Sequence, residues 1–358
     1  MQVGIIGLPN VGKSTIFNTL TRARADVANY PFCTIEPNVG IINVPDANLS
    51  ELSKIYNSSK ITQASIRVMD VAGLVKGASK GEGLGNKFLS HIRTVDIVAH
   101  IVRCFYDRDV SYIKEEINPV DDIDIINTEL LLSDIEILQR IREKLAGAVK
   151  SGDSEAKGRL EFADYLIDKF NHGEFLNLEN LEKRQSEFVE EFDLLSIKPV
   201  LYVANMGEDE ASEDLYKRLV EKAGKESVIK IYAKLESEIS ELPENEREEY
   251  AKELGIESGS LDDFIKKCYQ MLNLITFYTI NKNETRAWSI KRGEKAISAA
   301  GKVHSDMERG FIRAEVINCE ELLKLGSINR AKEEGKLGIE GKDYIVQDGD
   351  VIQVRFSV

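Results

Sequence analysis

Apolar positions along the chain fall first into short β-branched runs, separated by segments in which they recur every three or four residues. Through Phe105 the order is VGIIG, KSTIFNTLTRA, VGIINV, SIRVMDVAG, GNKFLSHIRTV and DIVAHIVRCF. Strand, helix, strand, strand, helix, strand predicts a mostly parallel sheet covered by helices. From about Asp121 to Glu191 the pattern changes. Stretches rich in Glu, Lys and Leu, such as NTELLLSDIEILQRIREKL and LENLEKRQSEFVEEF, place apolar residues at helical spacing and predict an inserted helical hairpin. Strand character returns at KPVLYVANM and SVIKIYAK, and SLDDFIKKCYQMLNL predicts the helix that closes the α/β domain. Beyond Leu274, ITFYTIN, TRAWSI, the helix GEKAISAAGKVHSDMERG and the closing YIVQDGDVIQVRFSV predict a small α+β domain with a tight turn at Asp348-Gly349-Asp350.

Length fits this partition, since 358 residues exceed one simple core. The expected domains are 1–120 plus 192–274 for nucleotide binding, 121–191 for the hairpin and 275–358 for the C-terminal unit. No apolar run approaches the roughly 18 residues of a membrane span, and no basic leader with a cleavage site opens the chain, so a cytoplasmic protein without a membrane partner is expected. Cys33, Cys104, Cys268 and Cys319 stand far apart, which argues against a zinc site or a disulfide framework. A net charge of −14 disfavours non-specific nucleic-acid binding but leaves room for a local basic patch.

The chemistry starts at Gly7-Leu8-Pro9-Asn10-Val11-Gly12-Lys13-Ser14, which matches G-x-x-x-x-G-K-[ST] between an apolar strand and a helix. In that setting the backbone of Asn10, Val11, Gly12, Lys13, Ser14 and Thr15 closes around phosphate oxygens. Lys13 reaches the terminal phosphates, and the Ser14 hydroxyl ligates Mg²⁺. Asp70-Val71-Ala72-Gly73 ends the next strand, where open α/β sheets place ligands. Asp70 is expected to hold Mg²⁺ through its water shell, and the Gly73 amide to sense a γ-phosphate. Between the two motifs NYPFCTIEPN offers Thr34 to close over Mg²⁺ as a switch residue. Cys33 beside it is either an inert small residue or an oxidisable thiol.

Taken together, GLPNVGKST, YPFCTIEPN, DVAGLVKGASKGEGLGNKFLSHIR and AHIVRCF closely resemble the YchF family of Obg-related P-loop NTPases. The resemblance covers almost the whole chain. It implies an α/β P-loop fold with an inserted α-helical hairpin and a C-terminal ubiquitin-like (TGS, β-grasp) domain. It also implies a redox-regulated ATPase of the translation-factor class that prefers ATP over GTP and associates with ribosomal particles, through the large subunit or the whole particle, by rRNA or protein. A monomer is expected. Gly81, Gly83 and Gly85 read as a flexible second switch, because no strand leads into them as a dinucleotide fingerprint requires.

The residues themselves speak to the base. Classical GTPases read guanine with Asn-Lys-x-Asp after a late strand. Here that strand ends in Asn205-Met206-Gly207-Glu208, and a second guanine determinant reads Tyr232-Ala233-Lys234. Loss of the lysine and a carboxylate one methylene longer erode guanine preference. Asn205 and Met206 are the leading base contacts, with Glu208 either behind them or solvated in its loop.

Hydrolysis lacks its usual helper, since Leu74 stands where Ras-like enzymes carry a water-orienting glutamine. His100, which interrupts the apolar strand DIVAHIVRCF, is a candidate for the γ-phosphate and alternatively a core histidine. Asn10 occupies the position where cation-dependent relatives coordinate K⁺, and a partner could supply the missing group in trans. His91 is expected to pack. Three readings follow: an Mg²⁺-dependent ATPase, a nucleotide-gated RNA or ribosome-binding module with incidental turnover, and a true GTPase switch. Lys282, Arg286, Lys291, Arg292 and Lys295 with Trp288 and Tyr278 form either a nucleic-acid face or a lysine-protected strand edge.

Overall fold

The computed structural model describes residues 1–24, 38–71, 84–110, 116–176, 181–243, 246–247, 249–250 and 259–357. In chain order the first elements are β1 (Gln2–Ile6), α1 (Lys13–Arg24), β2 (Val39–Asn43), α2 (Asn48–Tyr56), β3 (Ile61–Thr62), β4 (Ser65–Asp70), α3 (Leu84–Thr94) and β5 (Ile97–Cys104). Then come α4 (Pro119–Lys150), α5 (Ser154–Asn171), α6 (Lys183–Glu191), β6 (Val200–Met206), α7 (Glu210–Ala223), β7 (Val228–Ile231) and α8 (Ala233–Glu241). The chain continues through α9 (Ser260–Met271), β8 (Leu274–Ile280), β9 (Thr285–Lys291), α10 (Ala296–Val303), α11 (Ser305–Arg309) and β10 (Phe311–Asn318). It closes with α12 (Cys319–Leu325), α13 (Ile328–Glu333), β11 (Gly338–Glu340) and β12 (Asp350–Phe356). The described residues form two compact units, one of 1–23, 38–40 and 67–260, the other of 41–66 and 261–357.

The sheet that carries the first unit has the order β2-β4-β1-β5-β6-β7, and its neighbours from β4 to β7 run parallel. β5 is buried at every position, as a strand covered on both faces must be, which explains its continuous rather than alternating apolar run. The insert is helical as expected, but the hairpin pairs α4 with α5, and the second stretch expected to be helical is the shorter α6 packed on them. Pro119 opens α4 behind an Asn118 side chain that accepts from Val120 N, and Asp153 caps α5 by accepting from Glu155 N and Ala156 N. Leu138, Phe162, Leu166, Phe170 and Phe188 fill the space between the helices.

The hairpin is fastened to the sheet rather than hinged from it. Asp134 of α4 is fully buried and accepts from Leu195 N at 2.9 Å and Ser196 N at 2.8 Å. At the end of α3, Arg93 donates to Ser133 Oγ and to the Asp193 carbonyl. Burial raises the Asp134 carboxyl pKa, against the hydrogen bonds from Leu195 and Ser196 that lower it.

In the second unit the sheet order is β11-β10-β12-β8-β9-β3. Phe277, Ile290, Ala314, Val316 and Ile352 meet Ala296 and Ala299 of α10 in one core. Residues 41–66 join this unit, although their position in the chain placed them with the nucleotide domain. Ile61 and Thr62 pair in parallel with Thr285 and Arg286, Ser58 Oγ donates to the Asn281 carbonyl, and Leu49 and Leu52 of α2 are buried. Such long-range pairing leaves no local signal in a sequence.

The two aromatic residues of the basic cluster do not share one face. Arg286 lies 4.0 Å above the Trp288 ring, which stacks with Phe277 beside the core, while Tyr278 points to the opposite face and is 4 % exposed. Lys295 is paired with Asp343.

Candidate functional site

At the C-terminal end of β1 the chain turns through Gly7 (φ 151°), Asn10 (φ 61°) and Gly12 (φ 95°) into α1. Gly7 and Gly12 cannot be replaced cheaply. A Cβ on Gly7 would press on the Ile101 carbonyl, and one on Gly12 would collide with Asn205 Nδ2. The loop therefore wraps a space above the first turn of α1, where the free N–H groups of the helix favour an anion.

Three predicted residues converge there. Ser14 Oγ donates to Asp70 Oδ2 at 3.1 Å, and Lys13 Nζ donates to the Leu8 carbonyl at 2.7 Å within the loop. Lys13 is only 8 % exposed, and burial lowers its pKa while the Asp70 charge opposes that shift. Burial raises the Asp70 carboxyl, against the Ser14 hydrogen bond and the Lys13 charge. The negative charge of phosphates entering this space would offset the cost of the lysine's desolvation. A hydroxyl and a carboxylate oxygen side by side are hard donors that suit Mg²⁺, which takes one or two protein oxygens and keeps water and phosphate for the rest. Among the described residues no cluster of three His, Cys, Asp or Glu offers another metal site.

A cavity of about 670 Å³ runs from this loop along the ends of β5, β6 and β7. Its phosphate end is lined by Asn10, Gly12, Lys13, Ser14 and Thr15, and its far end by Phe105, Tyr106, Asp107, Val110, Met206, Glu208, Tyr232 and Lys234. Val11 turns its side chain into the core. The sequence reading missed the 105–110 wall. The available signal was its place directly after a parallel strand, the edge at which open α/β sheets bind ligands.

One expectation changes and another gains a second role. Asn205 is 4 % exposed and lines the cavity, and each end of its amide also makes one hydrogen bond, Nδ2 donating to the Val11 carbonyl at 2.9 Å and Oδ1 accepting from Ala233 N at 3.2 Å. It braces the phosphate loop against the β7–α8 turn and shares the cavity lining with Met206, itself 5 % exposed, and Glu208. His100 does not line the cavity. Strand alternation puts it in register with Ile6 and Tyr202, 1 % exposed, with its ring 5.6 Å from that of Tyr202 and Nε2 without a hydrogen-bond partner. Burial, helped by the Lys13 charge, pushes its pKa down to about 3, so it is a neutral core histidine with no proton to exchange near neutral pH.

His91 is exposed on α3 rather than packed. Thr34, Cys33, Gly73, Leu74, Gly81 and Gly83 lie outside the described residues, and Gly85 falls in the first turn of α3. Cys104, Cys268 and Cys319 are free and buried.

Comparison with known proteins decides the family. The chain is 46 % identical over 364 residues to the ribosome-binding ATPase YchF of Bacillus subtilis, covering 100 % of both chains. The chain belongs to the YchF family. It is also 42 % identical to the Escherichia coli O157:H7 ribosome-binding ATPase YchF, covering 100 % of this chain and 99 % of that one. A solved structure of the Schizosaccharomyces pombe YchF GTPase superposes with a TM-score of 0.89 at 31 % identity, covering 99 % of this chain and 97 % of that one. Residues 274–357 match the YchF-GTPase_C family model, described as a protein of unknown function (DUF933), and residues 2–135 match a model described as 50S ribosome-binding GTPase. The YchF relationship thus spans both units, and with it the P-loop nucleotide-hydrolase fold. No helix among the described residues is long and apolar enough to cross a membrane.

Proposed function

We propose that this YchF-family chain is an Mg²⁺-dependent ATPase that hydrolyses ATP to ADP and phosphate, prefers ATP over GTP and binds the ribosome according to its nucleotide state. The observation that carries the base preference is the far end of the cavity, where Met206 occupies the place of the guanine-covering lysine and Glu208 that of the guanine-reading aspartate. Phe105, Tyr106 and Tyr232 supply aromatic surface for a purine there without a donor-acceptor set built for guanine. The names of the relatives, which pair ATPase with ribosome binding, point the same way.

In this reading the amides of residues 10–15 bind the phosphates and Lys13 leaves the Leu8 carbonyl for the β- and γ-phosphate oxygens. Ser14, Asp70 and Thr34 are the residues that would hold Mg²⁺, which when bound neutralises charge developing on the phosphates. With Leu74 in place of a glutamine and His100 buried, neither of these two positions orients the attacking water. K⁺ beside Asn10 or a group from the ribosome completes the site. The C-terminal unit acts as the TGS domain, and the protein works as a cytoplasmic monomer.

Equilibrium competition between ATP and GTP for the Mg²⁺-loaded protein tests the base preference. ATP is expected to win by about tenfold or more, equivalent to about 1.4 kcal/mol, and the double variant Met206→Lys, Glu208→Asp should narrow the gap. A tighter GTP complex would overturn the reading.

A further inference from the structure

Arg103 is the penultimate residue of β5 and 1 % exposed, among the largest side chains buried in the molecule. Its guanidinium does not reach the cavity. It faces the loop that follows the strand, with Nε donating to the Phe105 carbonyl at 3.2 Å, Nη1 to the Val110 carbonyl at 3.3 Å, and Nη2 to the carbonyls of Asp107 and Val110 at 3.4 and 3.2 Å. The same group lies 4.4 Å from the centre of the Phe105 ring. Asp107 Oδ1 accepts from Asp109 N and tightens the loop further. The residues whose carbonyls Arg103 gathers, Phe105, Asp107 and Val110, together with Tyr106, form the wall of the nucleoside half of the cavity.

We infer that Arg103 is the positioning residue for nucleoside recognition: a buried fork that folds residues 105–110 into the base-side wall before the nucleotide arrives. A guanidinium spreads five donors across a fixed plane and so reaches carbonyls at both ends of the loop, whereas a lysine ammonium offers three donors from a single nitrogen and would hold the loop less completely. A loop held in advance spares the ligand the cost of ordering it, so the clamp acts on affinity for the nucleoside and leaves phosphate binding to the glycine loop. This inference rests on the proposal that the base occupies the far end of the cavity.

The test compares ATP with inorganic tripolyphosphate, which engages only the phosphate loop, on the full chain and on Arg103→Lys, with thermal unfolding of both. Arg103→Lys is expected to weaken ATP about tenfold to a hundredfold and to leave tripolyphosphate within about twofold. Equal losses for both ligands, or no loss for ATP, would overturn the assignment. If the unaltered protein binds tripolyphosphate as tightly as ATP, the base reading fails, and the role of Arg103 falls with it. Because a buried arginine variant can fail to fold, hydrogen exchange on the unaltered protein gives a second measure. The Asp109 amide, which donates to the Asp107 side chain inside the clamped loop, should be protected before ATP is added, and protection that appears only with ATP would refute the clamp.

Discussion

Replacing Asn205 by alanine separates bracing from base reading. The side chain satisfies the Val11 carbonyl and the Ala233 N–H inside a wall that leaves it 4 % exposed, so neither group regains water readily when it is removed. An unpaired buried polar group costs about 1–3 kcal/mol, and two of them about 2–5 kcal/mol after partial relaxation. At about 2–4 °C per kcal/mol for a domain of this size, thermal unfolding should shift down by about 4–20 °C. Because Val11 sits inside the phosphate loop, ATP, GTP and tripolyphosphate should all weaken by a similar factor, with the ATP-to-GTP ratio unchanged. Gly12→Ala provides a coupled check, since its Cβ would strike Asn205 Nδ2. Its cost should shrink when Asn205 is already alanine, and a double-mutant cycle measures the coupling. A large change in the ATP-to-GTP ratio at unaltered unfolding temperature would refute the brace and restore Asn205 as a base contact.

Two further outcomes follow from the geometry. The native imidazole of His100 stays neutral down to about pKa 3 against 6.5 for an ordinary histidine, so below pH 6.5 the unfolded chain takes up a proton that the native chain does not. Stability should therefore be lost as pH falls, at about 1.4 kcal/mol per pH unit and about 2 kcal/mol in all by pH 5. Denaturant titrations at pH 7 and pH 5 should show a smaller loss for His100→Phe, whose turnover at neutral pH should match that of the parent; a collapse of turnover with the fold intact would return His100 to the chemistry. Ser14→Ala removes the hydroxyl beside Asp70 and should raise the Mg²⁺ needed for half-maximal turnover by about tenfold or more, which a metal titration of phosphate release would measure.

Where chemistry is tied to a contiguous motif, the sequence was sufficient. Gly7 to Ser14 announced a phosphate-binding turn between a strand and a helix, and the structure holds it at positive φ at Gly7, Asn10 and Gly12. Although α5, which pairs with α4, was not among the stretches that spacing singled out, the helical insert was legible in part, since the stretches at helical spacing fall on α4 and α6. What depends on distant pairing was not. Strand alternation alone left His100 undecided between cavity and core, and only its register against Ile6 and Tyr202 buried it. Asn205 carries a base-reading motif position, and only the structure shows that Val11 and Ala233, far away in sequence, also bond its amide. The same reason explains residues 41–66, which join the C-terminal unit through hydrogen bonds to Asn281 and pairing with Thr285. It also explains Arg103, which reads as one more strand residue until the loop folds back onto its guanidinium. Local spacing encodes turns, caps and periodicity. Which side chains end up sharing a buried space is settled only when the sheet has closed and every polar group in it has found a partner.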